Sequence, residues 1–217
     1  MTLAIFDLDN TLLGGDSDHA WGQFLVDQGI VDADAYQKAN DYFFEQYQQG
    51  AMNVFEFLEF ALKPLSQHPK AQLDAWHQLF MKQVVAPMRL TKADALLKKH
   101  RDQGDFLLII TATNRFVTEP IAESMGVDHI LATEPEFIDG AYTGRVAGTP
   151  CFQAGKVERL NEWLAETGHS LEGSYFYSDS RNDLPLLEIV DYPVAVDADE
   201  ALTQYAESQG WPVISLR

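Results

Sequence analysis

The apolar run Leu3-Ala4-Ile5-Phe6 leads directly into Asp7-Leu8-Asp9-Asn10-Thr11-Leu12, and this junction limits the possible folds more than any other stretch. A buried strand ending in two carboxylates makes a poor core and a good catalytic edge. On extended backbone, Asp7 and Asp9 share one face and converge beyond the strand's carboxyl end. Ligands of open α/β sheets bind at that edge. Two like charges so close repel unless a cation lies between them or one keeps its proton. The competing reading is an acidic turn after an edge strand, because Asp-Asn-Thr makes a good turn in any fold.

Hydrophobic periodicity changes twice along the chain. Between about Asp16 and Gln83 apolar residues recur at helical spacing (Trp21, Phe24, Leu25; Phe55, Leu58, Leu62; Leu73, Trp76, Phe80), with no strand signal. From Leu90 onward strands and helices alternate. The pattern predicts strands over 106–112, 129–132, 174–177 and 194–196 and a helix over 117–125 closed by Gly126, with Pro120 either in its first turn behind a Thr118 cap or kinking it. Residues 137–146 read as a hairpin turning at Asp139-Gly140. Thr149-Pro150 reads as the N-cap and first position of a helix carrying Val157, Leu160 and Leu164. A further helix is expected over 184–190. Alternation of this kind implies an α/β fold, a doubly wound Rossmann-like parallel sheet with helices on both faces. The expected organisation is a core domain of residues 1–14 and 87–217, with an all-helical domain of residues 15–86 inserted as a lid above the catalytic edge.

Composition narrows the partners. The 217 residues carry 15 Lys and Arg against 33 Asp and Glu, a formal net charge of -18. Nucleic acid is held by clustered basic residues, so it is excluded as a partner. Any anion site must be local, built from a metal, a lysine and backbone N–H groups. No stretch has the apolar length of a membrane helix, and no leader-like pattern precedes Leu3, so a cytoplasmic protein is expected. The single Cys151 permits no internal disulfide, and it reads as a small core residue rather than a nucleophile.

Polar residues cluster where the other strands end. Thr111 follows Phe106-Leu107-Leu108-Ile109-Ile110, where a hydroxyl and nearby N–H groups would hold a phosphate oxygen; alone it is equally a cap or turn residue. Lys156 would place an ammonium against a phosphoryl group, although alone it reads as a solvated helix lysine. Ser178-Asp179-Ser180-Arg181-Asn182-Asp183 brings two more acids to the same edge. Asp179 beside Asp7 and Asp9 supplies the oxygen ligands preferred by a hard octahedral cation such as Mg²⁺. With one cysteine and no histidine pair at helical metal spacing, a zinc site is not expected.

These four pieces, in this order, resemble the motifs of the haloacid dehalogenase superfamily of phosphohydrolases, and the match spans the chain. The helical insertion after the first motif looks like that superfamily's C1 cap, and the Asp139-Gly140-Ala141-Tyr142-Thr143-Gly144 run leading to Gly155-Lys156 is similar to its phosphoserine-phosphatase-like branch. The resemblance implies a Mg²⁺-dependent phosphatase acting on a small-molecule phosphate monoester. It casts Asp7 as the nucleophile that becomes an aspartyl phosphate, and Asp9 as general acid and then general base. The metal would be held by Asp7, the backbone carbonyl of Asp9 and Asp179. Thr111 and Lys156 would bind phosphoryl oxygens, Asn182 would be a further substrate contact, and Asp183 would orient the metal waters or Lys156.

Substrate choice is expected to reside in the lid. Asp16 lies where the resemblance places an acid that binds the substrate amine, but no arginine precedes Arg89 to bind a substrate carboxylate. Residues 14–86 hold ten acids, four lysines and twelve aromatics, a composition that favours an amine-bearing or aromatic ester such as histidinol phosphate. His19 is placed to reach the site from the first lid helix, while Trp21, Trp76 and Trp163 read as packing residues. Two alternatives stay open: a phosphotransferase or mutase on the same fold, and a non-catalytic signalling module phosphorylated on aspartate. The sequence does not fix the oligomeric state.

Overall fold

The computed structural model describes residues 2–217. One seven-stranded sheet runs in the order β4-β3-β2-β1-β5-β6-β7, with β1 (Leu3–Phe6), β2 (Phe106–Asn114), β3 (His129–Ile138), β4 (Ala141–Ala147), β5 (Tyr175–Ser178), β6 (Tyr192–Val196) and β7 (Val213–Ile214). Neighbours pair in parallel except the β3–β4 hairpin. β1 is central, and its residues alternate between two apolar layers. Ala4 and Phe6 join the layer containing Leu107, Ile109, Val117 and Ile121, whereas Leu3 and Ile5 join Leu108, Ile110, Leu160 and Phe176. All four β1 side chains are therefore buried, as a strand covered on both faces requires. The chain builds β2, β3 and β4 on one side of β1 and β5, β6 and β7 on the other, so the switch of direction opens a crevice beside Asp7.

Helices α1 (Ser17–Asp27), α2 (Ala33–Gln48), α3 (Val54–Ser66) and α4 (Lys70–Phe80) fill the segment between β1 and the rest of the sheet. The side chains of Asp16, Asp32 and Asn53 cap the first three. α4 runs through a π-helical turn, Met81–Val85, into the short α5 (Ala86–Met88). Trp21, Phe24, Leu58, Leu62 and Phe80 belong to the same apolar cluster as Phe6 and Phe116, so α1 and α4 are anchored on the sheet's covering helices. The two connections of this segment run side by side: Leu13 bridges Arg89 in antiparallel fashion, and the Gly14 N–H donates to the Met88 carbonyl at 2.8 Å. The remaining helices are α6 (Thr91–Gln103), α7 (Arg115–Met125), α8 (Ala154–Thr167), α9 (Leu184–Leu187) and α10 (Glu200–Gln209). Among the described residues no helix is long and apolar enough to cross a membrane.

Several boundaries depart from the sequence reading. α7 begins at Arg115 and is capped by Asn114, whose side chain accepts from the Val117 N–H; Thr118 instead donates its hydroxyl to the Asn114 carbonyl. α8 does not begin at Thr149-Pro150. The chain turns through Phe152, and Gln153, at φ 50°, precedes the helix, while the Thr149 hydroxyl donates to Glu158. β3 continues past residue 132 to Ile138, making the hairpin longer than expected; its turn at Asp139 and Gly140 has φ of 50° and 84°, the positive values a tight two-residue hairpin needs. The helix over 184–190 shortens to α9, preceded by a 3₁₀ turn at Arg181–Asp183. Phe55 is 64% exposed and faces away from the core that Leu58 and Leu62 enter.

Candidate active site

The site forms where β1, β2 and β5 end. Asp7 continues the β1 direction, with its N–H donating to the Tyr177 carbonyl at 2.9 Å. Its carboxylate is buried and accepts from Lys156 Nζ at 2.7 Å. Lys156, 2% exposed, comes from the first turn of α8 and also donates to Asp183 Oδ2 at 2.8 Å, to which the Ser178 hydroxyl donates at 2.7 Å. A lysine without partners would not remain so buried. Burial favours the neutral amine, but Asp183 and Asp7 outweigh it and hold the ammonium's proton more tightly than usual. Burial pushes the Asp7 carboxyl up to about 7, against the pull of the Lys156 ammonium.

Asp9 occupies the turn that follows. Its Oδ1 accepts from the Ser17 N–H at 2.6 Å and its Oδ2 from the Thr113 hydroxyl at 2.8 Å. Burial, reinforced by the nearby Asp16 charge, raises its carboxyl to about 7. A carboxyl in that range can give and take a proton near neutrality. Thr111 is buried at the same edge, and its Oγ1 accepts from the Thr113 N–H at 3.2 Å.

Asp179 follows β5, and its carboxylate accepts one long hydrogen bond, 3.3 Å from the Thr11 hydroxyl. Its proton affinity is raised well above the carboxylate range by burial, then by the charges of Asp7 and Asp183. Lys156 is shared between Asp7 and Asp183, so this corner carries surplus negative charge. Among the described residues no three His, Cys, Asp or Glu side chains form a metal-binding group. Two carboxylates with a backbone carbonyl still fit Mg²⁺, which keeps several waters and takes one or two carboxylates plus substrate phosphate.

A cleft opens over Asp7, Asp9, Thr111 and Thr113. Its far wall comes from α1 and α2, with Asp16, Asp18, His19, Phe43, Phe44 and Tyr47. Asp16 has a double position: it lines the cleft while its Oδ1 caps α1 through the Asp18 and His19 N–H groups at 2.9 Å. Burial raises the Asp18 carboxyl well above its usual range, with Asp16 and Asp9 adding to the effect. His19 contacts Asp41 at 3.0 Å and packs against Phe44. Asn182 bridges instead of pointing free into the cleft. Its Oδ1 accepts from Gln153 at 3.0 Å, and its Nδ2 donates to the Tyr47 carbonyl at 3.3 Å, while Arg181 donates to the Gln48 carbonyl. These contacts tie the C-terminal end of α2 to the loop after β5.

The structure thus brings Asp7, Asp9, Thr111, Lys156, Asp179 and Asp183 to one edge, with Asp16 lining the cleft and Asn182 engaged with Gln153 and the Tyr47 carbonyl. Sequence reasoning missed Thr113, Ser178 and Asp18. The period of two along β2 could have flagged Thr113 with Thr111, and the capping pattern of α1 could have flagged Asp18; Ser178 carries no separate sequence signal.

The haloacid dehalogenase-like hydrolase family matches residues 4–188. A histidinol-phosphatase of Neisseria meningitidis serogroup C (strain 8013) is 44% identical over 219 residues, covering 99% of each chain. The crystal structure of a protein of unknown function from Bordetella pertussis Tohama I superposes with a TM-score of 0.94 at 45% identity, covering 100% of both chains. A substrate-bound phosphoserine phosphatase shares the fold at a TM-score of 0.73 and 17% identity, with coverage of 100% of this chain and 93% of that one. With the match to residues 4–188 and a relative of this identity over nearly the whole length, the chain belongs to the haloacid dehalogenase-like hydrolases and is a phosphatase of that family.

Proposed function

We propose that this protein is a Mg²⁺-dependent phosphatase that hydrolyses histidinol phosphate through an aspartyl-phosphate intermediate. One observation carries the substrate: the wall facing Asp7 joins the carboxylates of Asp16 and Asp18 to Phe43, Phe44 and Tyr47, in a segment without arginine. Paired acids suit a substrate ammonium, aromatic faces suit an imidazole, and a substrate carboxylate finds no cationic partner there. The Neisseria relative supports the same reading.

The chemistry follows from the chain's own groups. Asp7 attacks phosphorus in line and the ester oxygen departs. Asp9 gives that oxygen a proton and later takes one from the hydrolytic water. Lys156 and Thr111 hold the phosphoryl oxygens, and Asp183 fixes the Lys156 ammonium. Asp7, the Asp9 carbonyl and Asp179 would hold the cation, which would supply charge neutralisation. The helical domain of residues 15–86 acts as the lid, excluding bulk water and contacting the leaving group.

Steady-state phosphate release from L-histidinol phosphate and O-phosphoserine tests the assignment, with Mg²⁺ or with chelator. The expected result is a kcat/KM for histidinol phosphate at least about tenfold higher, as loss of one charged contact gives, and no turnover by Asp7→Asn. Equal or better use of phosphoserine overturns the substrate assignment.

A further inference from the structure

Thr111 and Thr113 lie two apart at the end of β2 and so share one face of the strand; both are buried. The first is a phosphoryl ligand by the reading above. The second has no role there, yet it makes the direct contact between β2 and Asp9, its hydroxyl donating to Asp9 Oδ2 at 2.8 Å. The other carboxyl oxygen is held by the Ser17 N–H at 2.6 Å. An amide N–H only donates, which keeps Oδ1 unprotonated and leaves Oδ2 to carry the exchangeable proton. A hydroxyl donates or accepts, so Thr113 keeps its contact with Oδ2 in either state. Its own backbone is pinned, because the Thr113 N–H donates to Thr111 Oγ1 and the adjacent Ala112 carbonyl accepts from the Thr133 hydroxyl at 2.7 Å.

We propose that Thr113 is a positioning residue that aims Asp9 Oδ2 at the departing ester oxygen; this rests on the acid role assigned to Asp9. As an Asp7 oxygen bonds to phosphorus the P–O ester bond breaks, and its electron pair leaves on the ester oxygen. That oxygen takes the proton from Asp9 Oδ2. Water then attacks phosphorus, returns a proton to Asp9 and frees Asp7 and phosphate. Thr113 exchanges no proton with the substrate and acts only through the Asp9 carboxyl that it holds.

The test uses two substrates that differ in their need for that proton. The alkyl leaving group of histidinol phosphate requires it, whereas the phenolate of p-nitrophenyl phosphate departs without it. Because kcat/KM reports steps up to loss of the alcohol, Thr113→Val is expected to lower it about 10- to 100-fold for the alkyl ester, part of the roughly 100- to 10,000-fold that a positioned acid contributes, and far less for the aryl ester. Thr113→Ser, which keeps the hydroxyl, is expected to restore the alkyl rate to within about threefold. Asp9→Asn should show the same split, enlarged. Equal losses on both esters for Thr113→Val, or no loss, with the Asp9→Asn split intact, overturn the positioning role alone. An Asp9→Asn variant without a split removes the acid role beneath it. Thr113→Ala provides the same comparison should the valine variant not fold.

Discussion

A Cβ atom on Gly155 would stand 2.0 Å from the carbonyl oxygen of Pro150. No residue other than glycine fits against that backbone oxygen without moving the turn that starts α8, and Lys156 is the next residue. Gly155→Ala is therefore expected to cost about 1–3 kcal/mol through overpacking, a fall in Tm of roughly 2–12 °C for a chain of this length. Its kcat/KM should fall further than the Tm loss explains, because the ammonium is displaced from Asp7. Thermal melts with phosphatase assays on the same preparation check this, and a folded variant with wild-type turnover would count against it.

With the metal site proposed above, the surplus charge at Asp7 and Asp179 makes cation binding a stability term. Millimolar Mg²⁺ should raise the Tm of the folded chain, since a ligand at 100 times its Kd contributes about 2.7 kcal/mol. Chelator should reverse the rise. In Asp179→Asn the Mg²⁺ response is expected to disappear even though the apo protein melts no lower than wild type, because one of the mutually repelling carboxylates has gone. Calorimetry with and without Mg²⁺ separates these outcomes.

Asp18 faces the cleft without a hydrogen-bond donor on its carboxylate among the described contacts, in contrast to Asp16, which already caps α1. Asp18→Asn should raise KM for histidinol phosphate by about tenfold or more, the usual worth of a hydrogen bond to a charged group. The KM for p-nitrophenyl phosphate, which has no amine, should hardly change. Equal effects on both substrates would point to a displaced α1 and not to amine recognition.

His77 gives a pH dependence with a definite sign. It is buried against Trp21, Phe80 and Phe116, and its Nε2 lies 2.8 Å from the Val117 carbonyl. Burial lowers its pKa, only partly offset by that carbonyl and by Asp74. The folded ring stays neutral while the unfolded chain takes up a proton as pH falls through about 6.5. Its contribution is thus complete above that value and declines as pH drops toward the lowered folded pKa, by at most about 1.4 kcal/mol per pH unit. Urea unfolding at pH 7.5 and 5.5 should show a steeper loss for wild type than for His77→Gln, whose side chain does not titrate.

The polar edge of the sheet was readable because its residues sit at strand ends, where an apolar run breaks into a polar cluster within one or two positions; Asp7, Thr111 and Asp179 each stand at such a break. Lys156 was legible only through its place in the series of motifs. Its burial depends on two acids 149 and 27 residues away, which no local pattern encodes. The start of α8 was misread for a related reason. Thr149-Pro150 has the chemistry of a helix start, but tertiary contacts put the Thr149 hydroxyl on Glu158 and hold Gln153 at positive φ. Asn182 was placed at the substrate by the resemblance alone, while its amide meets Gln153 and the end of α2. Contacts between elements far apart in the chain decided each of these cases, and amphipathic periodicity is blind to them.

The hydrogen-bonded meeting of Leu13 with Arg89 implies modularity. The polypeptide departs and comes back at a single point, so the whole stretch in between is topologically a loop on the sheet's rim. Excising it and joining the two ends with a tight turn would leave every strand neighbour in place. A fold wired this way can exchange one excursion for another while the order of its strands is kept.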